Sequence, residues 1–269
     1  MTTRLLRRNI KILVINPNSS QDMTRGMERA IQGMPLHDSL EIHTYTAPAP
    51  SPASINDDND IGLSTDVVVK DIFAKGRPDY DGVLVACYSV HNLVDAFTMW
   101  DDPDRSRAQE AAVTGIFEAS ILASMSLLRQ SSARFPVNKW GIVTTGKFWE
   151  EHLADGVRHY LGQAEGAGDS AKFAGVVSTG LDAGDFHHVS PSEVKAKLEE
   201  ATEKLLSKGD VGCVVMGCAG MAGLEEIIRA TAVLLYGEEL GNRVFIVDGV
   251  KAGIMQLEQT IRSRRLFRS

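Results

Sequence analysis

Two kinds of hydrophobic pattern take turns along this chain. The first is the short, unbroken apolar run, at Ile10–Ile15, Gly82–Ala86, Trp140–Val143, Gly212–Met216 and Val244–Val247. Each is rich in Val or Ile and lacks polar alternation, the pattern of a strand covered on both faces of a parallel sheet. The second is helical spacing, at Met23–Ile31, Ser64–Phe73, Glu118–Arg129, Phe148–Tyr160, Ser192–Leu206 and Leu224–Leu235. One helix start is marked in full: Ser190-Pro191-Ser192-Glu193 offers an N-cap serine, a proline at the first helical position and a glutamate at N3. Strand and helix alternating over the whole length predict an α/β fold with parallel sheets. Turn formers make Thr46–Ser54 and Gly162–Ser170 surface loops, and Asp101–Asp104 a linker between halves.

The pattern also repeats. Tyr80-Asp81-Gly82-Val83-Leu84-Val85-Ala86-Cys87 resembles Asp210-Val211-Gly212-Cys213-Val214-Val215-Met216-Gly217-Cys218 when Cys87 is set on Cys218. Lys11-Ile12-Leu13-Val14-Ile15-Asn16 likewise meets Lys139-Trp140-Gly141-Ile142-Val143-Thr144 at nearly the same offset. Two matches almost in register indicate two related α/β halves, Rossmann-like or flavodoxin-like. Residues 10–108 with 248–269 are expected to form one lobe, carrying Cys87. Residues 109–247 form the other, carrying Cys218.

Composition narrows the function. The 269 residues suit one large or two small domains. There are 28 Lys and Arg against 35 Asp and Glu, a net charge of −7, which argues against a nucleic-acid partner. Three cysteines cannot make a disulfide framework, and they fit a reducing, cytoplasmic setting. The start, Met1–Arg8, lacks an apolar segment and reads as a short basic tail. The uncharged stretches Val83–Val94 and Val211–Leu224 are too short for a membrane span.

The candidate chemistry lies where strands end. Cys87 and Cys218 each follow a buried strand, at the sheet edge where open α/β folds bind ligands. A helix start there is expected to lower the thiol pKa and to present backbone N–H donors from Tyr88-Ser89 and Ala219-Gly220. Asn16 ends the first strand and Thr144-Thr145 holds the matching place, so all three are candidate substrate contacts, with Asn18 or Ser19 as the helix N-cap. Cys213 sits inside a strand and reads as core. His91 could tune Cys87 or simply be buried, and His187-His188 reads as solvated. No metal set, no G-x-G-x-x-G and no phosphate loop is present, so neither metal nor nucleotide is implied.

These residues resemble the aspartate/glutamate/hydantoin racemase superfamily. Ile15-Asn16-Pro17-Asn18-Ser19 is similar to its opening strand and turn, Cys87 to its first cysteine, and Gly217-Cys218-Ala219-Gly220-Met221 to the second-half motif of the hydantoin and allantoin racemase branch. Pro52-Ala53-Ser54-Ile55, Gly115-Ile116-Phe117-Glu118-Ala119 and Val143-Thr144-Thr145 are similar too, which adds Ile55 and Glu118 to the expected substrate contacts. Bacterial members often carry a small residue, Asp and Pro soon after the first cysteine. This chain has Tyr88-Ser89-Val90-His91-Asn92, more like fungal relatives. The resemblance implies two pseudo-symmetric lobes with the site in the cleft between them, and cofactor-free racemisation by two cysteines, one as thiolate base and one as thiol acid. A small-molecule substrate, a hydantoin, ureide or amino-acid-like compound, is implied, and a homo-oligomer is expected. Amino-acid racemisation, maleate-type isomerisation and a non-catalytic small-molecule sensor stand as alternatives.

Overall fold

The uninterrupted apolar runs become the inner strands of two parallel sheets. A computed structural model of the chain describes residues 9–35, 40–76, 79–100, 111–128, 137–164, 168 and 170–268. The basic start and the expected linker at Asp101–Asp104 lie outside these residues. The chain divides into two compact units. One comprises Met1–Cys87, His91–Ile116 and Val250–Ser269, the other Tyr88–Val90 and Phe117–Gly249.

The first unit holds β1 (Ile10–Asn16), β2 (Leu40–Thr46), β3 (Gly82–Val85) and β4 (Ala112–Gly115), in the order β2-β1-β3-β4 and all parallel. β4 pairs with β3, so it belongs to the first sheet, whereas the sequence boundary put it in the second lobe. Helices α1 (Gln21–Gln32), α2 (Asp58–Ala74) and α3 (Asn92–Thr98) connect the strands. α1 buries Met23, Thr24, Met27 and Ile31, one stripe at helical spacing.

In the second unit α4 (Ile116–Leu127) leads to β5 (Lys139–Thr144), α5 (Phe148–Tyr160), β6 (Phe173–Ser178), α6 (Asp185–His188) and α7 (Pro191–Leu206). β7 (Val211–Gly217), a single 3-10 turn at Ala219–Met221, α8 (Glu225–Gly241) and β8 (Phe245–Asp248) complete it. Its order is β6-β5-β7-β8, again all parallel. The repeat in the sequence therefore joins equivalent strands, β1 with β5 and β3 with β7. α7 starts as expected, with Ser190 Oγ accepting from Glu193 N at 3.2 Å and Pro191 in the first turn. α8 is kinked at Gly237, whose φ of +78° places it in the left-handed region.

The last helix, α9 (Gly249–Phe267), packs on β3 of the first sheet. A Cβ on Gly253 would fall 2.4 Å from Leu84 Cδ1, so only glycine admits this approach. Near its far end Arg265 donates to Asp81 Oδ1 at 2.9 Å, and Asp81 Oδ2 accepts from Lys11 N at 3.0 Å. None of the helices among the described residues is long and apolar enough to cross a membrane.

Candidate active site

In each unit the chain leaves the first inner strand towards one edge of the sheet and returns on the other side. The carboxyl ends of those two strands form a topological switch point, where open α/β sheets bind ligands. In the first unit these are β1, ending in Asn16, and β3, followed by Ala86 and Cys87. In the second they are β5, ending in Thr144, and β7, followed by Cys218. Each half thus sets one cysteine beside one polar strand-end residue.

At the first edge the loop after β1 is tied by its own side chains. Asn16 is buried, and its Nδ2 donates to Ser20 O and to Thr24 Oγ1, both at 3.0 Å. Its Oδ1 accepts from Asn18 N at 3.3 Å. Both amide hydrogens are therefore engaged within the loop, and Thr24 is a partner that sequence spacing did not reveal. The N-cap of α1 is Ser20, accepting from Met23 N, rather than Asn18 or Ser19. Asn18 instead accepts from Ser20 N at 2.9 Å and sets the turn before the cap. The loop after β2 docks here, with Ser19 N donating to Pro52 O at 2.9 Å and Ser51 Oγ to Pro17 O at 2.6 Å. Ile55 is buried in that loop. Ala86 N donates to Ile15 O at 2.8 Å, which leaves the half-buried Cys87 just past the strand.

At the second edge Thr144 is fully buried and its Oγ1 donates to Gly217 O at 2.9 Å, fastening β5 to the end of β7. Thr145 is buried, with its carbonyl accepting from Gly180 N at 3.0 Å. Gly217 has no room for a side chain: a Cβ would lie 2.7 Å from Ile142 Cγ2, 2.8 Å from Val143 O and 2.9 Å from Thr144 Cβ. Cys218 is extended, and its sulfur caps the 3-10 turn by accepting from Gly220 N at 3.3 Å. Ala219 and Gly220 are half-buried. Burial pushes the Cys218 thiol up to about 11, although the Gly220 and Met221 amides pull the other way. The sequence led to the opposite expectation, a lowered pKa. Only one 3-10 turn starts at Cys218, and α8 begins at Glu225, so no long helix end offsets the loss of solvent.

The remaining candidates lie in the second unit. Tyr88 and Ser89 are buried, and the Tyr88 ring meets Phe117 edge-on with centroids 5.6 Å apart. Burial raises the Tyr88 phenol pKa, with Ser120 opposing the shift. Glu118 is half-buried in the first turn of α4. Cys213 is core as expected, its thiol pushed up to about 12 by burial and its sulfur 3.5 Å from Ser124 Oγ. None of the cysteines forms a disulfide. His91, in the first unit, is 2% exposed and caps α3, and burial pulls its pKa down to about 4. Its Nε2 lies 3.2 Å from Ser64 Oγ, a partner that carried no sequence signal. Among the described residues no group of three His, Cys, Asp or Glu side chains could hold a metal ion.

Comparison with known proteins gives concordant matches. The sequence matches the family described as Asp/Glu/Hydantoin racemase over residues 12–257. An uncharacterized protein of Schizosaccharomyces pombe is 30% identical over 253 residues, 94% of this chain and 92% of the relative. A hydantoin racemase of Pseudomonas sp. is 28% identical, over 94% of this chain and 86% of the relative. The solved allantoin racemase of Pseudomonas fluorescens has a TM-score of 0.71 at 22% identity, covering 94% of this chain and 91% of its own, a likeness of fold.

Proposed function

Because this chain belongs to the Asp/Glu/hydantoin racemase family, we propose that it racemises a 5-substituted hydantoin or allantoin without a cofactor, using Cys87 and Cys218. The reading rests on one observation: both thiols stand just past the same strand of two sheets with the same strand order. Inverting a stereocentre needs a base and an acid on opposite faces of one carbon, and a duplicated fold supplies two equivalent groups.

In the proposed step the Cys87 thiolate takes the proton from the stereogenic carbon. The C–H electron pair moves into the adjacent carbonyl and forms an enolate. The Cys218 S–H then gives its proton to the opposite face, leaving Cys87 as thiol and Cys218 as thiolate. The other enantiomer runs the same steps in reverse. Burial keeps the proton on Cys218 at neutral pH, which suits it to be the donor of the resting form. Once it has ionised, the Gly220 and Met221 amides support its charge. The enolate oxygen needs preorganised donors, for which backbone amides of the turns after each cysteine, with Ser89 and Thr145, are the candidates. Ile55, Tyr88 and Glu118 would shape the surroundings of the substrate. The engaged amide of Asn16 would hold the loop rather than reach the substrate. A homo-oligomer in the cytoplasm is part of the same proposal.

Polarimetry on single enantiomers of allantoin and of several 5-substituted hydantoins, with no cofactor added, tests the reading. Optical rotation should decay with the intact protein and persist with Cys87→Ser or Cys218→Ser. Cys218→Ser keeps the Cys87 base and should still exchange the substrate proton with deuterium on one face, whereas Cys87→Ser, with Cys218 held protonated, should exchange only as the pH is raised. Full racemisation by either variant would remove the two-thiol mechanism.

A further inference from the structure

Cys87 sits in a short segment, Cys87–Val90, held at both ends. At the near end Ala86 N is bonded to Ile15 O. At the far end stands His91, which does two things at once. Its Nδ1 accepts from Leu93 N at 3.3 Å, capping α3. Its Nε2 lies 3.2 Å from Ser64 Oγ, on the neighbouring α2. Ser64 is fully buried, and its hydroxyl donates to Ile61 O at 2.9 Å.

The hydrogens in this chain can be counted. Ser64 has one, and it goes to Ile61 O, so Ser64 Oγ accepts from Nε2–H. Nδ1 then keeps the lone pair that Leu93 N–H requires. Every bond is satisfied only by the neutral ring with its hydrogen on Nε2. A charged ring would turn an N–H towards the Leu93 N–H. The burial that lowers the His91 pKa agrees with the neutral form. His91 is therefore poorly suited to lower the Cys87 pKa by charge. Asn, Asp, Ser or Thr would also cap α3. What the longer imidazole adds is the second bond, which ties the end of the Cys87 segment to α2.

We propose that His91 is a positioning residue for Cys87, fixing the segment that carries the thiol by bonding α3 and α2 together through Leu93 N and Ser64 Oγ. The proposal rests on the two-thiol reading for its effect on turnover, but the effect on the thiol itself is measurable without turnover.

The test uses Ser64→Ala, which keeps the cap and removes the second bond together with the local Ser64–Ile61 bond inside α2, and His91→Asn, which keeps a capping acceptor and the Ser64–Ile61 bond but cannot span to Ser64. Iodoacetamide labelling with peptide mapping gives separate rates for Cys87 and Cys218, and melting temperature reports stability. Both variants should change the Cys87 rate and leave the Cys218 rate as it was. In racemisation, kcat should fall about 10- to 100-fold with little change in KM, because a misplaced base acts on the chemical step. The double variant should be no worse than His91→Asn alone, since the two residues share one bond. If His91→Asn does not fold, Ser64→Ala alone decides. An unchanged Cys87 rate or an unchanged kcat in a folded variant overturns the proposal, as do Cys87 and Cys218 rates that shift together with stability. If the intact protein racemises none of the substrates, the racemase reading fails and the labelling rates still decide whether His91 positions Cys87.

Discussion

Gly217→Ala is the smallest change that should reach from packing to catalysis. The added methyl would stand 2.7 Å from Ile142 Cγ2, 2.8 Å from Val143 O and 2.9 Å from Thr144 Cβ. All three atoms belong to β5, an inner strand paired on both sides by β6 and β7, so the strand cannot move aside. Relief has to come from the end of β7 swinging away. That movement breaks the Thr144 Oγ1 bond to Gly217 O and displaces the next residue, Cys218. Overpacking of this kind costs about 1–3 kcal/mol. For a chain of this size that lowers the melting temperature by roughly 2–10 °C. The activity loss should be larger than the stability loss implies, because a reacting group displaced by about 1 Å can lower the rate about 100-fold. The assay pairs thermal melting with polarimetry at a temperature where both forms are fully folded. A variant with the melting temperature and kcat of the parent would refute the argument that Gly217 is required by the approach of β5.

Three further outcomes follow from named contacts. His91 has a folded pKa of about 4 against 6.5 for an ordinary histidine, so the unfolded chain takes up its proton first. Its contribution is fully present above pH 6.5 and is lost as pH falls from 6.5 towards 4, about 3 kcal/mol in all; subtracting the His91→Asn stability curve isolates it, and a pH-independent difference would count against it. Arg265→Ala leaves the nearly buried Asp81 carboxylate without its cation, which should cost about 3 kcal/mol and expose the end of α9 to limited proteolysis; an undigested α9 and an unchanged melting point would contradict that. Labelling of Cys218 by iodoacetamide should be slow at neutral pH and rise up to about pH 11, with Cys213 slower still, and a Cys218 rate already at its plateau at pH 7 would show the thiol is not held protonated.

The fold was legible where burial is complete. β1, β3, β5 and β7 are inner strands with solvent on neither face, so their residues carry no polar alternation and stand out. Of the edge strands β2, β4, β6 and β8, only β8 was read, because Val244-Phe245-Ile246-Val247 is an unbroken apolar run even where Phe245 is exposed. β2 is half-buried almost throughout, and its sequence Leu-Glu-Ile-His-Thr-Tyr-Thr mixes polar and apolar residues on both faces. β4 is only Ala112–Gly115, four residues that pass directly into α4, too short a run to stand out as a strand. α9 was missed because its apolar stripe is narrow, Val250, Ile254, Leu257 and Ile261 among many charged and amide residues. The reading of α8 stopped at Leu235, two residues before Gly237 breaks the helical backbone.

The strand-end placement of Cys87, Cys218, Asn16 and Thr144 was legible from the repeat, but the local surroundings of these candidates were not, because the repeat ends where the strands end. After β7 the thiol of Cys218 is itself the cap of a 3-10 turn. After β3 the chain runs through Tyr88–Val90, part of the second unit, and α3 is capped by an imidazole instead. Equivalent strands therefore deliver two cysteines into unlike surroundings, and no one-dimensional pattern encodes which amide a sulfur will face. A racemase tolerates this asymmetry for a thermodynamic reason. In the proposed two-thiol reaction the two substrates are mirror images of equal free energy, so kcat/KM must be the same in both directions whatever the two thiols are like. Unequal thiols can alter only how that ratio divides between kcat and KM, and which protonation state rests. If Cys218 holds the proton at rest, the resting form accepts the enantiomer whose hydrogen faces Cys87. The opposite enantiomer waits for the proton to move between the thiols. A difference in KM between enantiomers, matched by the same difference in kcat, is then the kinetic trace of a fold that was duplicated and afterwards diverged at the ends of its strands.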